Sequence, residues 1–457
     1  MSTTLSLEGW TRRRHELALA FRLHGHRIER TYRYGDVDFT HLEERFGAVL
    51  LDRLCAYLLA LEAVPLVGLA PDAVDFGPAS RFLTFHLRRL WRAVERGTGA
   101  QWRYETGRPF YRPAISAVGP AEEPLPMALG ASSTEALVFC GGGKDSLAVL
   151  TLLERSGIDC ATFSYSQPEY GSPEEQHRLI DRTLDAAPGR RHRLEVLDGA
   201  GRRELDGLIC AETPISVFAA LPVALQHGYR CLVLGHERSA DTANLLWEET
   251  GEAVNHQWGK SLEAERLLAD AVRHDLLADV RCFSVLKPVH DPVIAGLLRG
   301  NPDAVRRTHS CNVRKPWCER CPKCLYVWLL LTAFLPADAV APMFTGNLLE
   351  VPENLPLVRR LLGLDGHRPF ECVGEPAEAR LAFELCRRKG VLGGAATDRL
   401  AAELPDFHPG SVFERYLVVH EDSHAMPPAV WELVAPQLRA AAEETRRYVG
   451  TILRKGT

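Results

Sequence analysis

Leu137-Val-Phe-Cys-Gly-Gly-Gly-Lys-Asp-Ser-Leu-Ala-Val-Leu150 is the stretch on which the fold turns. Leu137, Val138 and Phe139 suit a buried strand, and from Ser146 to Glu154 the leucines recur at helical spacing, so the three glycines fall at a strand-to-helix junction. Such a junction suits phosphate. Glycine lets the backbone approach a ligand closely and adopt positive φ, and the first amides of the following helix point at an anion. Lys144 adds a positive charge, and Asp145 is a candidate to hold a metal ion or orient water.

The spacing is not that of a Walker A loop, which places four residues between its first glycine and a Gly-Lys-Ser/Thr ending. GGGKDS, Gly141 to Ser146, instead resembles the SGGxDS loop of the PP-loop ATP pyrophosphatases, which cleave ATP between the α and β phosphates and adenylate an oxygen of their substrate. The resemblance implies that Gly141, Gly142, Gly143, Lys144, Asp145 and Ser146 bind ATP with Mg2+. Gly141 stands where those proteins usually carry serine, which removes one hydroxyl contact to pyrophosphate and leaves the work to backbone amides.

Around this loop the chain of 457 residues is long enough for two or three domains. A formal net charge of -5, with 25% charged residues, gives no global field for nucleic acid, and none is expected as a partner. Arg12, Arg13 and Arg14 are followed by a broken apolar pattern rather than a signal-peptide core. The longest apolar run, Leu325 to Leu335, is too short to cross a bilayer. A cytoplasmic protein is therefore expected, and in that reducing setting twelve cysteines point to metal rather than to a disulfide scaffold.

In chain order, strand-like alternation appears at Ala20 to Leu23 and Arg27 to Phe39, followed by amphipathic helices at Glu43 to Ala63 and Arg81 to Glu95. Gly119 to Gly130 reads as a linker. Beyond the glycine loop, strands at Ile158 to Tyr165, Arg193 to Leu197 and Cys231 to Leu234 alternate with helices at Gln176 to Ala186 and Ser216 to Gln226. That alternation predicts an α/β fold with a parallel, doubly wound sheet. The PP-loop resemblance implies that Phe163, Ser164 and Tyr165 form an adenine-binding edge, mostly through backbone groups.

The strand ending at Leu234 runs into Gly235-His-Glu-Arg-Ser-Ala-Asp-Thr-Ala-Asn244. Ligands of open α/β sheets sit beyond the carboxyl ends of strands, so Gly235, His236 and Glu237 should share a crevice with the glycine loop. Asn255-His-Gln-Trp-Gly-Lys-Ser261 offers amide, imidazole and ammonium groups for an anionic substrate, although Ser261 also suits a helix cap. Lys144, Asp145, His236, Glu237, His256 and Lys260 are the candidate catalytic residues. Cys311, Cys318, Cys321 and Cys324 bring two C-x2-C steps and a fourth cysteine together, which suits a closed, structural Zn2+ site; an iron-sulfur cluster or four reduced thiols are the alternatives.

The cysteine arrangement resembles the zinc site of 7-cyano-7-deazaguanine synthase, a shorter PP-loop enzyme. The combination of CGGGKDS, YSQPEYG, GHERSADTAN, NHQWGKS and HSCNVRKPWCERCPKC resembles the family of UDP-N-acetylmuramoyl-L-alanyl-L-glutamate epimerases over most of the chain. This resemblance implies ATP- and Mg2+-dependent inversion of the terminal L-glutamate of a UDP-linked muramoyl dipeptide in peptidoglycan synthesis. A PP-loop enzyme modifying a nucleobase or tRNA is the alternative. The expected organisation is an N-terminal α+β domain over 1–125, a PP-loop catalytic domain over 126–335 and a helical C-terminal domain over 336–457, with no prediction of oligomeric state.

Overall fold

The structure, a computed structural model, describes residues 3–130, 136–185, 189–199 and 209–454. Its strands are β1 (Thr4–Arg13), β2 (Glu16–Leu23), β3 (His26–Tyr34), β4 (Ala73–Asp75), β5 (Ala114–Ser116), β6 (Ala136–Phe139), β7 (Cys160–Ser166), β8 (Arg191–Asp198), β9 (Cys231–Leu234), β10 (Leu245–Trp247), β11 (Glu252–Val254) and β12 (Arg281–Ser284). Ten of them form one sheet in the order β12-β9-β6-β7-β8-β3-β2-β1-β4-β5, while β10 and β11 pair separately. Neighbours from β12 to β8 are parallel, and the β8–β3, β3–β2 and β2–β1 pairs are antiparallel.

The parallel part follows from composition. Leu137, Val138, Leu232, Val233 and Phe283 are buried, as central strands covered by helices on both faces require. Chain order reverses at β6, whose neighbours are β7 on one side and β9 on the other, so a crevice opens between the carboxyl ends of β6 and β9. The helix Lys144–Arg155 leaves β6 and buries Leu147, Val149, Leu150 and Leu153. The α/β expectation holds.

The N-terminal stretch does not keep its own sheet. β3 pairs with β8 from Arg30–Asp198 to Tyr34–Leu194, and one core runs from Leu5 and Phe21 through Phe163 to Leu232. Two local readings are corrected here. The strand expected to reach Phe39 stops at Tyr34, because the Asp38 side chain accepts from the amides of Thr40 and His41 and starts the helix Phe39–Phe46. The helix expected from Glu43 is broken at Gly47 (φ 82°) and resumes as Ala48–Val67.

The C-terminal stretch is helical, as expected, with the longest elements at Pro376–Arg388 and Pro428–Arg454. It packs on the helices of the parallel sheet and shares a core with Val149, Ile294 and Leu330. No helix among the described residues is long and apolar enough to cross a membrane.

Candidate active site

The crevice at the chain reversal is a cavity of about 490 Å³, lined by Gly141, Lys144, Asp145, Ser146, Gly235 and His236, among others. The glycine loop is fixed from below. Gly142 has φ +78°, and a Cβ there would lie 2.2 Å from His309 Cε1. The Gly142 carbonyl accepts from the His309 amide at 3.0 Å and from Thr183 Oγ1 at 3.1 Å. Gly143 is the cap residue of the helix and supplies no side-chain acceptor, so the first-turn amides are left for a ligand. Ser146 Oγ accepts from the Gly141 amide at 3.1 Å, which places it as an organiser of the loop.

Lys144 points beneath the loop. Its ammonium donates to Asp145 at 2.6 Å and also to Asp291, and although burial opposes it, those two carboxylates hold it above the usual lysine range. Asp291 belongs to a buried acidic group with Glu237 and Glu378. The Asp291 amide and Ser239 Oγ donate to Glu378 at 3.0 and 2.5 Å, and the Glu237 carboxylate accepts from the Ser239 amide. Burial, then the charge of Asp291, pushes Glu237 up to about 7. His236 sits above with Nδ1 buried and unpartnered, and burial with Lys260 and Lys287 pushes it well below the usual histidine range, so it is neutral.

The far wall combines two segments. In NHQWGKS, the His256 ring meets Gln101 Oε1 at 2.6 Å, and Trp258 lies over Gly97, where a Cβ would be 2.1 Å from the indole. The helix Phe85–Thr106 therefore positions this motif. Ser261 caps the helix Leu262–Asp275, accepting from the Ala264 amide at 3.2 Å. Lys260 Nζ lies 3.1 Å from Cys372 Sγ, which the C-terminal stretch supplies. Burial raises the Cys372 thiol, but Lys260 and then Lys323 outweigh it and bring it down to about 6. Lys315 joins the same cavity, and burial followed by Lys323 lowers it to about 8.

Cys311, Cys318, Cys321 and Cys324 bring their sulfurs within 4.8 Å of one another, with Cys311–Cys321 at 3.9 Å and Cys318–Cys324 at 3.8 Å. Four sulfurs at about 2.3 Å from a tetrahedral zinc ion would be about 3.8 Å apart. Amides of Val313 and Arg314 donate to Cys311 Sγ, both at 3.3 Å, as thiolate ligands require. The donor set fits a closed tetrahedral ion. The cluster anchors the segment carrying His309, which backs the glycine loop, and Lys315 and Lys323, which face the cavity.

The cavity thus collects Lys144, Asp145, His236, Glu237, His256 and Lys260. It takes Tyr165 from the expected base edge but not the side chains of Phe163 or Ser164. Phe163 is buried against Phe139, its carbonyl accepts from the Cys140 amide at 2.8 Å, and Ser164 Oγ donates to the His192 carbonyl at 3.3 Å. Sequence reasoning missed His309, Lys315, Lys323, Cys210 and Cys372 at this cavity. His309, Lys315 and Lys323 lie within the quoted motif HSCNVRKPWCERCPKC, and Lys287-Pro-Val-His-Asp291-Pro, after the apolar run Cys282 to Leu286, is the sequence signal for a charged pair at the crevice.

Comparison with known proteins falls on these same segments. Residues 112–285 match the family model of the MurL N-terminal domain, and residues 305–408 match that of the MurL C-terminal domain. A UDP-N-acetyl-alpha-D-muramoyl-L-alanyl-L-glutamate epimerase of Salinispora tropica is 34% identical over 302 residues, 63% of either chain. One from a Micromonospora species is 35% identical over 266 residues, 56% of this chain and 57% of the relative. One from Xanthomonas oryzae pv. oryzae is 32% identical over 314 residues, 65% of this chain and 67% of the relative. The match thus spans between somewhat over half and two thirds of these relatives' lengths. With both family domains matched and the glycine-loop, second-strand and cysteine segments inside them, the chain belongs to the MurL family of UDP-N-acetyl-alpha-D-muramoyl-L-alanyl-L-glutamate epimerases.

Proposed function

We propose that this protein uses ATP to invert the terminal L-glutamate of a UDP-linked muramoyl-L-alanyl-L-glutamate, through an acyl-adenylate, releasing AMP and pyrophosphate. The observation that carries the reading is the glycine loop: an uncapped helix start at the chain reversal, held by Gly142 against His309, opening on the cavity shared with Lys260 and Cys372. This is the arrangement expected of a PP-loop fold, in which the amides of Gly143 to Ser146 take phosphate oxygens. Asp145, partly exposed beside the loop, would hold Mg2+ to neutralise phosphate charge. Lys315 and Lys323 add positive charge for phosphate or for the substrate carboxylate.

Adenylation makes the inversion chemically accessible. Removing an α-proton next to a carboxylate would place a second negative charge on one group. Once that carboxylate is a mixed anhydride, its carbonyl oxygen can accept the charge, and nearby cations such as Lys260 stabilise it. Zinc on the four cysteines would be structural, with no open position for chemistry. A soluble, cytoplasmic setting suits a nucleotide-linked substrate and ATP.

The test is incubation of the L-glutamate-ended UDP-muramoyl dipeptide with ATP and Mg2+ in deuterated water. D-glutamate carrying α-deuterium, with AMP and pyrophosphate, is expected. ADP and phosphate as products, or no inversion, would refute the proposal.

A further inference from the structure

Resting on that reading, inversion at a tetrahedral carbon requires a base on one face and an acid on the other. Several polar groups of the cavity are already engaged. Lys144 is held by Asp145 and Asp291, and Glu237 accepts from the Ser239 amide. Besides Cys140, buried at the root of the glycine loop, two thiols from segments far apart in the chain line the cavity. Cys372 is half-buried in the loop before the helix Pro376–Arg388, and Cys210 is exposed just before the helix Glu212–His227; both line the cavity.

We propose that Cys372, as a thiolate, removes the α-proton of the activated L-glutamyl group, and that Cys210, as a thiol, delivers a proton to the opposite face. Their surroundings differ in the sense this requires. Cys372 has the Lys260 ammonium at 3.1 Å, with His256 and Glu371 bringing one polar atom each within 4.8 Å of it. Cys210 lies two residues before Glu212, and Glu212 in turn accepts from the Tyr170 hydroxyl at 3.3 Å. In keeping with this geometry, Cys372 is lowered to about 6, while the exposed Cys210, beside Glu212, is pushed up. Environments that drive two titratable groups apart assign base and acid.

In the first step the Cα–H bond breaks as an S–H bond forms on Cys372, and the C–H electron pair moves onto the carbonyl oxygen of the mixed anhydride. In the second, that pair returns to carbon, which takes the proton of Cys210 as its S–H bond breaks. Hydrolysis of the anhydride then releases the D-glutamyl product and AMP. Cys372 is left as a thiol and Cys210 as a thiolate, and proton exchange with water in the open cleft restores both. No oxidant or reductant is needed.

The experiment compares wild type with Cys372→Ser and Cys210→Ser in deuterated water, starting separately from the L- and D-glutamyl dipeptides with ATP and Mg2+. Each variant should lose inversion by at least about 100-fold, while pyrophosphate exchange, which reports adenylation, stays within about tenfold of wild type. The exchange pattern should be mirrored. Cys210→Ser should still place deuterium in recovered L-substrate but not in D-substrate, and Cys372→Ser the reverse. Inversion at the wild-type rate by either variant, or identical exchange patterns in both, would overturn the assignment. Should a variant lose pyrophosphate exchange, alkylation of wild type with iodoacetamide at pH 7 decides instead. Modification of Cys372 ahead of the other thiols, with loss of inversion in proportion, supports the assignment, and retained inversion after complete Cys372 modification overturns it. Wild type that inverts neither isomer would refute the proposed function itself, a result distinct from failure of the cysteine roles.

Discussion

Replacing Gly142 with alanine tests the glycine loop at its tightest point. At φ +78° an L-residue pays about 1–2 kcal/mol in backbone strain. The new methyl carbon would lie 2.2 Å from His309 Cε1, where ordinary contact begins near 3.4 Å, so ring or loop must move by about an ångström. His309 is not free to yield. It is buried, its amide donates to the Gly142 carbonyl, and Ser310 after it lies against Gly143. Strain and clash together should cost about 2–4 kcal/mol, read as a lowered urea midpoint with unchanged slope. Pyrophosphate exchange should fall at least tenfold, because the amides that meet the phosphates are displaced. Gly141→Ala is the control: nothing lies within 4 Å of its Cβ position, so it should cost under about 1 kcal/mol. His309→Ala combined with Gly142→Ala should recover the clash and leave the backbone strain. Gly142→Ala with wild-type stability and exchange would refute the account of the loop.

Metal analysis should find one zinc ion per chain on the four cysteines, and chelation or Cys318→Ser should lower the melting temperature; an unchanged melting temperature after complete metal removal would count against the site. Glu265 is buried, and burial raises it from 4.5 to about 7, so its ionisation opposes folding progressively as pH rises from about 4.5 through 7. Glu265→Gln should therefore gain on the order of 2–3 kcal/mol relative to wild type at pH 8 and little at pH 4, measured by urea unfolding at both. Lys144→Met strands the Asp145 and Asp291 charges and should destabilise by about 3–5 kcal/mol at pH 8, with partial recovery on adding Asp291→Asn; equal stability of both variants would show that the ion pair does not matter.

What was legible in the sequence was local. The glycine loop, the polar end of β9 and the four cysteines each declare themselves within a few residues, and each lies where the reading put it. β1 escaped notice because the pairing register shifts between Leu7 and Gly9, where φ is 130°, interrupting the alternation. β4 and β5 have three residues each, too few to show a period. Cys372 meets Lys260 across 112 residues with no motif around it, and the acidic group under Lys144 draws Asp291 and Glu378 from separate helices. Such encounters are products of packing, and periodicity does not carry them. The β3–β8 pairing, which carries the N-terminal strands into the same sheet as the glycine loop, likewise joins segments far apart in the chain.

That pairing sets a clock during synthesis. Arg30 and Asp198, which meet in the β3–β8 register, are separated by 168 residues. At roughly 5–20 residues per second, β3 leaves the ribosome about 8–34 s before its partner exists. Through that interval the three-stranded ribbon β1-β2-β3 presents an open strand to solvent and to neighbouring nascent chains. Arg27, Arg30 and Arg33, spaced along β3, are the kind of charges that keep an exposed strand from recruiting the wrong one. One of them, Arg30, later becomes buried and pairs with Asp198, so the same side chain guards the strand first and closes the sheet afterwards.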